Sequence, residues 1–128
     1  MTREFVIMPE FDRQWDKMGL SDEELRQLQE VLLENPKVGV VIRGTKGLRK
    51  LRIAFEGQGK STSGRIAYID FTVHEHIYLI TAYPKNEKDN LTKAECNTIA
   101  KLIVKLEQGL KNRRQKNEYL RKHNARLN

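Results

Sequence analysis

Apolar and polar positions along the chain follow two periods. Glu4-Phe5-Val6-Ile7-Met8 reads as a short strand closed by Pro9, and Phe11, Trp15 and Met18 then fall at i, i+4 and i+7, one face of a helix. A second helix has a complete start signal. Ser21 and Glu24 form a capping box, and Leu20 with Leu25 is placed as a hydrophobic staple. Leu25, Leu28, Val31 and Leu32 supply its buried stripe, and Asn35-Pro36 ends it because the residue before proline is pushed out of the helical region.

From Val40 the period shortens to two. Leu48–Phe55, Arg65–Val73 and Ile77–Lys85 read as strands, separated by a glycine-rich segment and by His74-Glu75-His76. Connections this short imply an antiparallel meander. A last helix opens with a second capping box, Thr92 with Glu95, and carries Cys96, Ile99, Ile103, Leu106 and Leu110 on one face. The order βααβββα predicts an α+β domain, an antiparallel sheet with N-terminal helices and a C-terminal helix packed on it. It spans residues 1–110, with 111–128 as a basic extension of the last helix or a flexible tail.

Composition agrees with a single core. The 128 residues are 38% hydrophobic, enough for one domain burying roughly two-thirds of its unfolded surface. The longest apolar runs are far short of the roughly 20 residues that cross a bilayer, and the first residues lack a signal-peptide core. With Cys96 alone, no internal disulfide can form. These features predict a cytoplasmic protein.

Charge is segregated along the chain. Residues 1–37 carry 5 basic and 9 acidic side chains, residues 38–110 carry 12 and 7, and residues 111–128 carry 7 and 1. Such a gradient predicts a polyanion-binding side of the domain. Between Arg43 and Arg65 seven basic residues (Arg43, Lys46, Arg49, Lys50, Arg52, Lys60, Arg65) stand against Glu56 alone. Alternation puts Leu51, Ile53 and Phe55 on one strand face and Lys50, Arg52 and Ala54 on the other, so one face is core and the other cationic. Arg65 is expected as an exposed strand-end arginine.

Other chemistries find little support. Gly59-Lys60-Ser61 resembles part of a P-loop, but the first glycine of that motif would fall at Ala54, and a strand follows instead of a helix. Gly57 to Gly64 reads instead as a hairpin loop whose Lys60 can approach a phosphate. His74 and His76 lack further metal-ligand partners, and no G-x-S-x-G elbow is present. At the end of the last strand, Tyr83 and Lys85 share parity with Thr81. There Tyr83 either stacks on a base or packs in the core.

Gly44-Thr45-Lys46-Gly47-Leu48-Arg49-Lys50-Leu51-Arg52, then Gly64-Arg65-Ile66-Ala67-Tyr68, then Ile77-Tyr78-Leu79-Ile80 through Tyr83-Pro84-Lys85-Asn86-Glu87 resemble, in this order, the RelE/ParE toxin superfamily, most closely its HigB-type branch. The resemblance implies the toxin of a toxin–antitoxin pair that cleaves mRNA on the ribosome, without metal or cofactor, and a co-encoded antitoxin, a helix-turn-helix protein. It makes Lys50, Arg52, Arg65, Tyr83 and Lys85 the candidate catalytic set and Lys46, Arg49, Lys60 and Lys88 candidate RNA contacts. Lys50 and Arg52 match paired strand cations, and Arg65 a phosphate-stabilising arginine. Arg52 departs from the usual lysine, and Tyr83 stands in for a tyrosine that the last helix lacks near Thr92. Two other readings stay open, a non-catalytic RNA- or ribosome-binding module and a ParE-like inhibitor of DNA gyrase.

Overall fold

The computed structural model describes residues 2–57 and 60–127, and side chains for residues 2–56 and 61–123. The elements in chain order are β1 (Glu4–Ile7), α1 (Pro9–Lys17), α2 (Asp22–Glu34), β2 (Val40–Val41), β3 (Arg49–Gly57), β4 (Lys60–Phe71), a 3₁₀ turn (Thr72–His74), β5 (His76–Pro84) and α3 (Lys93–Leu127). The five strands form one sheet in the order β1-β5-β4-β3-β2. This is the α+β domain that the order of elements predicts. β2 to β5 pair antiparallel, whereas β1 runs parallel to β5 with Phe5 opposite Ile77.

Both faces of the sheet are covered. Phe11, Trp15, Leu28 and Leu32 of α1 and α2 pack on Ile53, Ile66, Tyr68, Ile77 and Leu79. Phe11 stacks on Trp15 at 5.3 Å, and Phe55 meets the indole edge-on at 5.9 Å. On the opposite face Ile103 and Leu110 of α3 close over Leu48, Ala67, Ile69, Phe71, Tyr78 and Ile80. Side chains of one strand alternate between these layers. The Ser21–Glu24 capping box forms as expected, with Ser21 Oγ accepting from the Glu24 N–H and the Glu24 carboxylate accepting from the Ser21 N–H. Arg3 is buried against Asp70 through two contacts, 2.8 and 3.3 Å, tying the start of β1 across β5 to β4.

Both boundaries of β4 differ from the periodic reading. β4 begins at Lys60, not Arg65, and pairs with β3 out to Gly57 opposite Lys60. Ser61, Thr62 and Ser63 have the composition of a loop, but a ladder is held by backbone groups and accepts them. β4 also stops at Phe71, because Thr72–His74 tighten into a 3₁₀ turn and Glu75 takes a left-handed conformation (φ 56°). α3 continues without a break past Leu110 to Leu127, and residues 111–123 are all exposed. Among the described residues no helix is long and apolar enough to cross a membrane.

Tyr68 fixes the return from α2 to the sheet. Its buried hydroxyl donates to the Pro36 carbonyl at 2.7 Å and accepts from the Gly39 N–H at 2.9 Å. A Cβ on Gly39 would lie 2.8 Å from Tyr68 Cε1, so glycine is required there by close approach. Tyr68→Phe leaves both backbone groups without this partner. It is expected to lower stability by about 1–3 kcal/mol, read as a shifted urea midpoint at unchanged slope.

Candidate active site

The pairing of β3, β4 and β5 sets Arg52 opposite Arg65 and Arg65 opposite Tyr83, a row of three residues across three strands. Alternation aims this row to the α3 side, away from Ile53, Ile66 and Ala82. Two residues along, Lys50 lies opposite Ala67, and Ala67 opposite Thr81. Four of the five expected catalytic positions thus share one end of one face.

The connection from β5 to α3 folds back over that end, and three successive residues each engage one member of the group. Lys88 places its ammonium 5.3 Å from the centre of the Tyr83 ring. Asp89 accepts from Arg65 Nη2 at 2.5 Å. Asn90 accepts from Lys50 Nζ at 2.5 Å. Lys88 is held in turn by Glu95 at 2.6 Å, within the first turn of α3, where Thr92 and Glu95 form the expected capping box. Asp89 is 63% exposed at its side chain against 5% for Arg65, so the pair spans from solvent to interior.

Two expectations are corrected here. Arg65 is not an exposed strand-end residue: it is 4% exposed, because β4 is paired on both edges and extends past it to Lys60. Tyr83 is 2% exposed beneath Lys88 and presents no free ring face to a base, so the packing alternative is the one realised. Gly64 permits the close strand contact beside them, since a Cβ there would fall 2.6 Å from the Tyr83 carbonyl oxygen. Arg65 Nη1 donates to the Gly64 carbonyl at 3.1 Å. Arg65 Nε and Tyr83 Oη, on directly paired residues, are buried with no hydrogen-bond partner among the described residues.

The remaining candidates disperse. Lys85 is exposed past the end of β5 and lines a groove with Ser61, Thr62, Ser63 and Asn86, beside the cluster but not in it. Arg49, half-buried, faces the α2 side and donates Nη1 to the carbonyls of Lys37 (3.2 Å) and Gly39 (2.7 Å), which makes it a brace for the α2–β2 connection, away from the cluster. Lys46 sits in a left-handed turn (φ 63°) and lines a separate groove with Asp70, Thr72 and Glu107. The side chain of Lys60 lies outside the described residues. Lys88 belongs to the cluster, as the cation above Tyr83.

Sequence reasoning missed Asp89, Asn90 and Glu95 as partners of the cations. The one available signal was a run of acids, Glu87 and Asp89, interrupting Lys85, Lys88 and Lys93. Among the described residues no three His, Cys, Asp or Glu side chains gather as metal ligands would.

A small α+β domain with a cationic sheet end beneath a folded-back connection is thus the class of protein at hand. Residues 7–122 match the RelE toxin family, described as the RelE toxin of the RelE/RelB toxin–antitoxin system. The chain belongs to that family. Its fold is similar to that of the E. coli toxin RelE, an arginine-to-alanine double mutant in the free state, at a TM-score of 0.54 and 17% identity, covering 81% of this chain and 99% of that one.

Two titrating groups feel this arrangement. Burial pushes the Tyr83 hydroxyl up, against the opposing effect of Arg65, which keeps it a neutral phenol at pH 7. The Glu95 carboxyl is held below the usual range, first by Lys88 and then by the Thr92 N–H. A carboxyl lowered in the folded state adds stability above its unfolded value of about 4.3 and loses it as pH falls through the folded value. Glu95→Gln keeps a capping side chain and removes the charge. The variant is expected to be less stable than the parent at pH 7, with the gap closing below about pH 4. Urea unfolding at pH 7, 5 and 3 checks this, and a gap independent of pH contradicts it.

Proposed function

We propose that this chain is a HigB-type toxin that arrests translation by cutting mRNA on the ribosome, without metal, and that it works in the cytoplasm under the control of a helix-turn-helix antitoxin. The observation that carries the reading is the row Arg52, Arg65, Tyr83 with Lys50 beside it, in which Arg65 is oriented by a carboxylate. Asp89 holds the guanidinium as a phosphate oxygen would, by a short charge-assisted bond.

The chemistry suited to such a set is attack of an RNA 2′-OH on its own 3′-phosphate. The P–O5′ bond breaks, and a 2′,3′-cyclic phosphate and a 5′-hydroxyl result. Charge on the phosphorane oxygens is the largest demand, and prealigned donors meet it best. Arg65 is prealigned by burial and by Asp89, and Arg52, exposed opposite it, extends the cationic face toward solvent. Entry of the phosphate exchanges Asp89 for substrate oxygens on Arg65, so the ion pair keeps a buried cation partnered until then. The neutral Tyr83 phenol adds a hydrogen-bond donor beside the guanidinium. Lys50 in the cluster and Lys85 beside it are the cations assigned to proton transfer at the 2′ and 5′ oxygens, and alignment by the ribosome supplies the rest.

A translated reporter mRNA, incubated with the protein in a cell-free extract and mapped by primer extension, tests this. Cuts that require translation are expected, and intact transcripts overturn the reading. Ribosome binding without cuts favours a non-catalytic module, and DNA breaks favour a gyrase inhibitor. Arg65→Ala is expected to slow cleavage by about 10²–10³, the cost of one lost oxyanion donor. Circular dichroism of the variant separates this from loss of fold, since Arg65 is buried.

A further inference from the structure

We infer that the exposed part of α3, with the turn before β5, forms a second RNA-binding surface, one that takes the phosphate backbone of helical ribosomal RNA. It rests on the ribosomal reading above but uses none of the residues assigned to cleavage.

Among the described side chains Leu110 is the last buried residue of α3, and every residue from Lys111 to His123 is exposed. Over residues 111–123 the helix therefore stands away from the core as an exposed arm of about 20 Å, at 1.5 Å per residue. Between Lys111 and His123, Lys111, Arg113, Arg114, Lys116, Arg121 and Lys122 stand against Glu118 alone. Glu118 is engaged by Arg114 at 3.6 Å, and Lys111 reaches back to Glu107 at 3.9 Å. An exposed arm of this composition contributes no core.

The base of the arm borders a groove of about 580 Å³, lined by Arg113, Arg114 and Arg121 on one side and by Val73, His74 and His76 on the other. His76 is committed to Glu4 at 3.0 Å and to the His74 carbonyl. Among the described residues Glu118 is the only acid on the groove wall, against Arg113, Arg114 and Arg121, so the wall is cationic.

The shape selects the occupant. Arginine forks on a rigid helix suit phosphate oxygens. The one tyrosine of the arm, Tyr119, is stacked on His123 at 3.8 Å, so it offers little platform for the unpaired bases of a single strand. A helix about 10–12 Å across cannot enter the deep, narrow major groove of A-form RNA, but it can lie across the wide minor groove and its phosphate ridges.

The test compares the full chain with Arg113→Gln/Arg114→Gln/Arg121→Gln, substitutions that preserve helix propensity. Binding to an RNA duplex of about 20 base pairs and to ribosomes is measured over a salt series. The plot of log affinity against log salt is expected to flatten by roughly two to three units, with about tenfold weaker binding at 0.1 M salt. Cleavage at saturating ribosome should persist. Arg121→Gln alone should flatten the slope by about one unit. An unchanged slope at unchanged helix content overturns the inference, leaving a solvated arm. Unchanged RNA binding with lost antitoxin binding also overturns it, in favour of an acidic protein partner. Duplex binding is read without any cleavage, so this inference and the ribosomal reading fail separately.

Discussion

Strand β4 is bonded on both edges, to β3 and β5, and covered on both faces, and the rest of the molecule is arranged around that placement. Gly64 through Ile69 are all buried. Ile66 and Tyr68 point to the layer of α1 and α2, and Ala67 and Ile69 to that of α3. A slip of one residue would exchange these sets, so two cores and two ladders specify one register together. The same alternation aims Arg65 toward the α3 side. An arginine held on a central strand cannot reach bulk water in the way an edge residue does.

The connection between β5 and α3 answers that constraint. An isolated buried guanidinium is costly, and a carboxylate anchored at the surface lowers the cost without itself being buried. Asp89 does this for Arg65 while Asn90 meets Lys50 and Lys88 covers Tyr83. The capping box at Thr92 and Glu95 holds the far end of the connection, and Glu95 also anchors Lys88. One short segment therefore starts a helix and partners three buried or half-buried groups. Such interdependence ties the position of each member of the cluster to that of the others.

The distribution of charge follows a related division. The acidic front of the chain is spent on α1 and α2, where Arg26 pairs with Glu23 and Glu30 along the exposed helix face. Basic residues concentrate on the far layer, at the sheet end and on the projecting part of α3. The α1–α2 layer thus serves the core, and the α3 layer carries the surfaces that can meet a polyanion.

Much of this was legible in the sequence because it rests on local periodicity. Helices at Phe11–Met18 and Leu25–Leu32, capping boxes at Ser21 and Thr92, the β3 alternation of Leu51, Ile53 and Phe55 against Lys50 and Arg52, and the final helix are all set by residues within a turn or two of one another. So was the shared face of Lys50 and Arg52, since parity within one strand follows from spacing. Contacts between distant segments were not legible. The parallel pairing of β1 with β5, the extension of β4 through Ser61–Ser63, the burial of Arg65 and Tyr83, and the diversion of Arg49 to the carbonyls of Lys37 and Gly39 depend on which strand ends up central. Only the assembled sheet decides that, because whether a side chain of given parity faces solvent or another layer is a property of its neighbours in space.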